Sequence, residues 1–260
     1  MKVVILAGGL GSRIEEETVV IPKPLVRVNE YPILWHIMKI YSHYGYNDFI
    51  ICLGYKGYLI KEYFANYFLH QSDVTFDFTK GYQKIKFHNK NVEDWKVTLI
   101  DTGLESQTGA RLRRIQDYIK EKTFLMTYGD AVADVDISAL VDFHKSHHKH
   151  ATVTIVQPPG RYGQVELGRG ADVRTFEEKP KGDGGYINGG FFVLNKEVFK
   201  YLNNDEKLIW EREPLKKLVA DRQIQAYTHR GFWRCMDTLR DKRALEVLGK
   251  EDKAPWMVWT

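Results

Sequence analysis

The chain has 260 residues, of which 43% are hydrophobic and 13% aromatic, and its 38 basic and 34 acidic side chains are mixed along the sequence. A chain of this length can bury a large core, and the absence of a basic block gives no case for nucleic acid binding. No apolar run approaches a membrane span, and the first residues show none of the zones of a signal peptide, so we expect a cytoplasmic protein without a membrane partner.

The first predicted strand runs directly into a glycine-rich loop. Residues 3–6 are apolar and mostly β-branched, which is typical of a strand buried on both faces. The loop reads Leu6-Ala7-Gly8-Gly9-Leu10-Gly11-Ser12-Arg13, and Lys23 follows in Pro22-Lys23-Pro24. Glycines let main-chain N–H groups approach an anion, and Arg13 and Lys23 add positive charge. The segment predicts a nucleoside triphosphate site; a tight turn is the alternative, and the P-loop and Gly-x-Gly-x-x-Gly patterns are missing.

Strand and helix patterns alternate through the first half. Five apolar side chains share one face of a predicted helix: Ile33, Leu34, Ile37, Met38 and Tyr41. Residues 49–53, 97–100 and 124–127 are further predicted strands, with a helix over 109–120. This alternation predicts an α/β, Rossmann-like fold with a mostly parallel central sheet and helices on both faces.

The second half changes character. Its short predicted strands at 151–156, 165–167, 173–177 and 191–194 are separated by glycine and proline, which indicates a mixed or antiparallel extension. In the first half, an aromatic segment near 63–90 is typical of an insertion with a helix and a hairpin. We predict one domain over 1–260, with halves at about 1–135 and 136–260.

Asp130 ends the predicted strand in Tyr128-Gly129-Asp130. Ligands bind at the carboxyl ends of parallel strands, and a carboxylate that faces a triphosphate there is a natural Mg²⁺ ligand. A helix N-cap is the alternative. Just beyond, Asp134-Val135-Asp136 imitates the Asp-x-Asp metal motif of glycosyltransferases, but we favour a helix that begins with Asp136 near its N-cap.

Histidine and cysteine give weaker signals. His144 and His148 have the helical spacing of a zinc pair, but no third ligand is suggested, and we favour an exposed helix end. Cys52 and Cys235 are too few for a zinc site or a disulfide framework. Their apolar surroundings predict reduced, buried thiols with structural roles.

The glycine loop and the Pro-Lys that follows resemble the signature of the sugar-phosphate nucleotidyltransferases, Gly-Gly-x-Gly-Ser/Thr-Arg and then Pro-Lys. Within that family, the chain is most similar to the glucose-1-phosphate cytidylyltransferases. The similar blocks are residues 32–38, 54–57, 63–68, 127–130, 178–184, 187–192 and 236–242. The resemblance implies the nucleotidyltransferase version of the Rossmann-like fold, with nucleotide bound by the first half and sugar phosphate by the second.

The resemblance also implies an activity and a set of site residues. The activity is transfer of a cytidylyl group from CTP to α-D-glucose 1-phosphate, which gives CDP-glucose and pyrophosphate for O-antigen or other surface polysaccharide synthesis, with Mg²⁺ as cofactor and in a homo-oligomer. The implied nucleotide-binding residues are Leu6, Ala7, Gly8, Gly9, Leu10, Gly11, Ser12, Arg13, Lys23, Ser106, Thr108, Gly109, Arg111 and Gly129. The implied sugar-phosphate residues are Tyr128, Glu178, Lys179, Asn188 and Gly189, the metal ligands Asp130 and Asp237, and the catalytic residues Lys23, Arg13 and Asp130.

The chain departs from the cytidylyltransferase pattern at three places near the implied site. Ala131 replaces a glycine, Gln164-Val165-Glu166 replaces a more apolar segment, and Arg234-Cys235 stands where glutamine and proline are usual. These changes leave the identity of the hexose open. A uridylyl- or thymidylyltransferase, a glycosyltransferase that uses Asp134 and Asp136, and a silent sugar-nucleotide sensor are the alternatives.

Overall fold

The computed structural model describes residues 1–79, 81, 84–88, 92–158, 164–170, 172–177, 185–250 and 254–259, apart from the side chains of Arg13, Glu15, Glu16 and Gln164. The strands are β1 (Lys2–Leu6), β2 (Arg27–Val28), β3 (Tyr31–Pro32), β4 (Asp48–Leu53), β5 (Asp73–Asp77), β6 (Lys84–His88), β7 (Lys96–Asp101), β8 (Thr123–Tyr128), β9 (Ala131–Ala133), β10 (Ala151–Val156), β11 (Gln164–Leu167), β12 (Val173–Glu177), β13 (Ile187–Asn195), β14 (Ile224–Thr228) and β15 (Trp233–Cys235). The helices are α1 (Glu15–Thr18), α2 (Ile33–His43), α3 (Gly57–Ala65), α4 (Tyr67–Gln71), α5 (Thr108–Arg114), α6 (Ile137–His147), α7 (Glu213–Ala220) and α8 (Leu239–Lys250). Short 3-10 helices cover Ser12–Ile14, Lys23–Leu25, Gln116–Tyr118 and Lys196–Tyr201.

A seven-stranded sheet in the order β14-β10-β13-β8-β1-β4-β7 forms the centre of the protein. Its strands β8, β1, β4 and β7 are parallel, as are β10 and β14, whereas β13 runs antiparallel to both of its neighbours. The α/β fold with a mostly parallel sheet is therefore confirmed. The mixed part of the fold lies in this same sheet, because β10, β13 and β14 of the second half extend it.

Alternating side chains of each central strand enter two separate hydrophobic cores. In β1, Val3 and Ile5 pack in one core with α2, α6 and α8, whereas Val4 and Leu6 pack in the other with α5 and α7. This is why the strand is apolar at every position. Helices thus cover both faces of the sheet, as predicted, and among the described residues no helix is both long and apolar enough to cross a membrane.

Among the described residues, four two-stranded pairs lie outside the central sheet. Strands β5 and β6 pair antiparallel within the expected insertion, β2 pairs antiparallel with β3, and β11 pairs antiparallel with β12. The fourth pair, β9 with β15, brings together segments that are distant in sequence: Ala131 lies opposite Cys235, and Ala133 opposite Trp233. This pair decides the geometry of the candidate site.

Two helix boundaries refine the sequence prediction. The helix expected over 109–120 is α5 followed by a 3-10 turn, because the N–H of Ile115 bonds to the carbonyl of Leu112 and tightens the chain there. At the start of α6, Asp136 is the N-cap residue, and its carboxylate accepts the N–H of Ala139 at 2.9 Å. The predicted cap is therefore confirmed.

We predict that Asp136→Ala lowers the free energy of unfolding by about 1 kcal/mol, because the N–H of Ala139 loses its acceptor at the helix end. Urea denaturation followed by circular dichroism measures this change. Asp142→Ala on the same helix is the control, because the side chain of Asp142 is 75% exposed and its carboxylate pairs with Lys145, which contributes at most about 0.5 kcal/mol. Equal losses in the two variants would contradict the capping role.

Candidate active site

A cavity of about 620 Å³ opens at the carboxyl ends of β1 and β8. Most of the residues that the sequence predicted for the site line it: Leu6, Ala7, Gly8, Gly9, Leu10, Gly11, Ser12, Lys23, Ser106, Thr108, Arg111, Tyr128, Gly129, Asp130, Asn188, Gly189 and Asp237. Glu178 and Lys179 lie outside the described residues, as does the side chain of Arg13. Gly109 packs against Leu208 and Trp210 and is not part of the lining.

The glycine loop bends over the end of β1 because two of its positions exclude side chains. Gly11 has a φ of +68°, and a Cβ at Gly8 would lie 2.2 Å from the guanidinium of Arg111. The loop is fixed at its base, where the carbonyl of Gly8 accepts the N–H of Tyr55 at 3.2 Å. Gly9 and Leu10 remain exposed at its tip. The main chain can therefore come close to a ligand in the cavity, as the sequence predicted.

Arg111 holds this loop in place from inside the protein. Its side chain is buried, and its guanidinium donates to the carbonyls of Gly8 at 2.8 Å, Leu53 at 2.9 Å and Gly103 at 2.8 Å. The hydroxyl of Thr102 accepts a further bond at 2.9 Å. These contacts connect the ends of β1 and β4 with the segment before α5. Arg111 also lines the cavity, so its predicted nucleotide contact stays a prediction, and these hydrogen bonds add a role in positioning the loop.

Lys23 lies between two carboxylates in the lining of the cavity. Its Nζ is 2.7 Å from Asp130 Oδ2 and 2.8 Å from Asp237 Oδ1. Burial alone would lower the pKa of the Lys23 ammonium, but the charges and hydrogen bonds around it, chiefly those of Asp130, outweigh this effect and raise the pKa above 10.5. The lysine is therefore fully charged at neutral pH. The two predicted metal ligands and the predicted catalytic cation share one cluster.

The pairing of β9 with β15 brings the two carboxylates together. Asp130 immediately precedes β9, and Asp237 follows β15 by two residues. The N–H of Met236 donates to the carbonyl of Asp130 at 2.8 Å and extends the pairing to the site itself. The side chain of Met236 is fully buried and fixes the segment to the core.

The sequence prediction was wrong for one cysteine. Cys52 is buried in the core, as expected, but Cys235 is half-buried, lines the cavity and lies within 4.8 Å of oxygens of both Asp130 and Asp237. Its position in β15 opposite Ala131 causes this placement. Burial, together with the two carboxylate charges, raises the pKa of the Cys235 thiol well above its usual value. The thiol is therefore protonated at neutral pH and is a poor nucleophile.

Glu211 is a cavity residue that the sequence analysis missed. Its carboxylate accepts the hydroxyl of Tyr128 through Oε1 and the hydroxyl of Thr108 through Oε2, the latter at 2.6 Å. Asn188 Nδ2 donates to the same Tyr128 hydroxyl at 3.1 Å, and the N–H of Trp210 donates to Thr108 at 3.0 Å. Burial, followed by the Glu211 charge, raises the pKa of Tyr128. This network connects the first turn of α5 to the start of β13 across the cavity.

The two alternative metal motifs of the sequence, Asp134-Val135-Asp136 and the histidine pair at the end of α6, make structural contacts. Asp136 caps α6, and the carboxylate of Asp134 lies 2.8 Å from His229 Nε2. His144 is buried, and its Nδ1 lies 2.8 Å from the hydroxyl of Thr152, so it is not the exposed helix-end residue that we expected. Strand β10, which carries Thr152, covers the His144 side chain. Neither group lines the cavity.

Comparison with known proteins identifies the family of the chain. Residues 2–238 match the family described as nucleotidyl transferase. The chain belongs to this family. A glucose-1-phosphate cytidylyltransferase of Salmonella typhimurium is 58% identical over 260 residues, which are 100% of both chains. A curated relative from Bacillus subtilis is 42% identical over 259 residues, again over 100% of both chains.

Solved structures of other nucleotidyl transferases have the same fold. A UDP-glucose pyrophosphorylase complexed with UDP-glucose superposes with a TM-score of 0.69 at 14% identity, over 96% of this chain and 98% of that one. The HddC protein of Yersinia pseudotuberculosis superposes with a TM-score of 0.67 at 23% identity, over 95% of this chain and 98% of the other. The substrates of this family are a nucleoside triphosphate and a sugar phosphate.

We predict that Glu211→Gln lowers kcat/KM by about tenfold or more, because an amide cannot accept hydrogen bonds on both sides and a bond to a charged acceptor contributes about 1.5–3 kcal/mol. Pyrophosphate release under subsaturating substrate measures the change. Glu213→Gln is the matched control, because the Glu213 carboxylate is 65% exposed on α7 and faces Lys217. The role of Glu211 is contradicted when the two variants have the same kcat/KM.

Proposed function

We propose that the protein transfers a cytidylyl group from CTP to glucose 1-phosphate and releases pyrophosphate. The observation that supports this most strongly is the cluster of Asp130, Asp237 and Lys23 beside the glycine loop, in one cavity large enough for two ligands. The choice of cytidine and glucose is supported by the 58% identical relative, whose name specifies both.

The residues at the cluster fit a divalent metal ion. A cationic group, the Lys23 ammonium, already lies between Asp130 and Asp237, so this position accommodates positive charge. Carboxylates together with phosphate oxygens are the usual ligands of Mg²⁺. We assign the two aspartates as its protein ligands. When bound, Mg²⁺ would neutralise charge on the phosphate oxygens.

The residues of the chain bring two polyanions together. Main-chain N–H groups of residues 8–12 face the nucleotide phosphates, and the Lys23 ammonium stabilises charge at the α-phosphate and on the departing pyrophosphate. A phosphate oxygen of the sugar phosphate attacks the α-phosphorus in line with that leaving group. The attacking oxygen is already ionised, so no protein nucleophile or general base is needed. Positioning and charge stabilisation supply the rate acceleration.

The sugar phosphate is assigned to the opposite side of the cavity. Asn188, Gly189 and Tyr128 line it there, with Asn188 oriented by the Tyr128 hydroxyl. The predicted contacts of Glu178 with sugar hydroxyls and of Lys179 with the phosphate stay predictions, because both residues lie outside the described part of the chain. The expected homo-oligomer and cytoplasmic location also stay predictions.

Recognition of the base is assigned to the segment before α5. Residues 104–107, and Thr108 at the first position of α5, border the cavity on the nucleotide side. Cytosine presents an N4 amino donor where uracil and thymine present an O4 acceptor, so a selective pocket needs an acceptor at that position. A main-chain carbonyl of this segment would supply one, and a buried mismatch leaves polar groups unpaired.

We predict that Asp130→Asn and Asp237→Asn each lower kcat by at least about a hundredfold, because each removes a charged group that stabilises the transition state. Steady-state pyrophosphate release measures kcat, and circular dichroism checks the fold. Asp134→Asn is the control, since Asp134 contacts His229 away from the cavity. A loss confined to Asp134→Asn would favour the glycosyltransferase alternative and reject our assignment.

We further predict that purified protein with Mg²⁺ and glucose 1-phosphate releases pyrophosphate fastest with CTP, because only cytosine donates from N4. Each nucleoside triphosphate is tested separately under the same conditions. Equal or faster release with UTP or dTTP would reject cytidylyl transfer. Release that requires a different hexose 1-phosphate would show that the sugar assignment is wrong.

A further inference from the structure

The thiol of Cys235 lies beside the two carboxylates of the active site and faces the same cavity. Its Sγ and one oxygen each of Asp130 and Asp237 all lie within 4.8 Å of one another. Three potential ligand atoms, two hard oxygens and one soft sulfur, therefore converge on one small volume at the cavity wall.

The position between the two carboxylates of this cluster accommodates a cation. The Lys23 ammonium occupies it, 2.7 Å from Asp130 and 2.8 Å from Asp237, with the lysine side chain only 11% exposed. A metal ion that binds these same two oxygens, Asp130 Oδ2 and Asp237 Oδ1, has to displace this ammonium. The displacement is needed for hard and soft metal ions alike, so it does not discriminate between them. Discrimination depends on the third donor, the sulfur.

Metal ions differ in their preference for sulfur. Mg²⁺ requires oxygen ligands and gains nothing from a thiol, whereas Zn²⁺ and Co²⁺ bind sulfur and carboxylate oxygen in the same site. We propose that Asp130, Cys235 and Asp237 form a binding site for a thiophilic divalent cation such as Zn²⁺, which excludes Mg²⁺ from the active site. When the sulfur binds the metal, the S–H bond breaks and its proton passes to solvent. No oxidant or reductant is required.

Binding at this site has a direct consequence for activity. Zn²⁺ held by both aspartates and the sulfur would keep Mg²⁺ from its assigned ligands. We therefore expect inhibition by Zn²⁺ that excess Mg²⁺ relieves. This consequence rests on the proposed function, whereas metal binding itself does not, so the two can be tested apart.

Co²⁺ absorption spectroscopy of the full-length, metal-free protein tests the binding site without turnover. A sulfur-to-cobalt charge-transfer band in the near ultraviolet is expected on Co²⁺ addition. The band should disappear in Cys235→Ser and in Cys235→Ala, and should persist in Cys52→Ala, which removes the core thiol. Asp237→Asn keeps the sulfur and should weaken Co²⁺ binding by about tenfold or more. Thermal melts establish that each variant is folded.

Zn²⁺ affinity, measured by competition with a chromophoric chelator, gives the second test. Cys235→Ser should weaken Zn²⁺ binding by about tenfold or more relative to Mg²⁺ binding in the same variant. The proposal is overturned when wild-type protein shows no charge-transfer band, when the band persists in folded Cys235→Ser, or when Asp237→Asn leaves Co²⁺ affinity unchanged, which would indicate a thiol acting alone. The assigned cytidylyl transfer could stand under any of these results.

Discussion

The Lys23 ammonium between Asp130 and Asp237 is the interaction on which the candidate site depends. Two ionised carboxylates this close in a partly buried position repel each other strongly, and a positive charge between them offsets this repulsion. Lys23 supplies that charge. At the same time it fixes the 3-10 helix Lys23–Leu25 against the paired strands β9 and β15. The site is thus organised around a positive charge, and the same lysine would be available to a phosphate if a metal ion took its place between the carboxylates.

Two further charged groups connect distant segments around the same cavity. Arg111 donates to carbonyls at the ends of β1 and β4, and Glu211 accepts the hydroxyls of Tyr128 and Thr108. Each is a half-buried or buried charge whose hydrogen bonds go to the protein. The glycine loop, the segment before α5 and the start of β13 therefore have defined positions relative to one another. Such preorganisation is what in-line transfer between two bound phosphates requires.

Local signals were sufficient to predict some parts of this arrangement. The strand that enters the glycine loop, the carboxylate at the end of β8 and the N-cap of α6 all follow from a few neighbouring residues, and the structure has each of them. Cys235 and Glu211 depend on contacts between segments far apart in sequence. Nothing near Cys235 indicates that β15 pairs with β9, and nothing near Glu211 indicates two hydroxyl donors. For Arg111, the residue was found but its buried contacts were not.

A crystal structure with Mn²⁺ and a non-hydrolysable CTP analogue tests the central claim most directly, because Mn²⁺ is located by its anomalous scattering independently of the protein fit. The account predicts an anomalous peak bound by Asp130 and Asp237, with the Lys23 ammonium moved from between them to a phosphate oxygen. A peak at Asp134 and Asp136, or a Lys23 that keeps both carboxylate contacts while the analogue is bound, would contradict it.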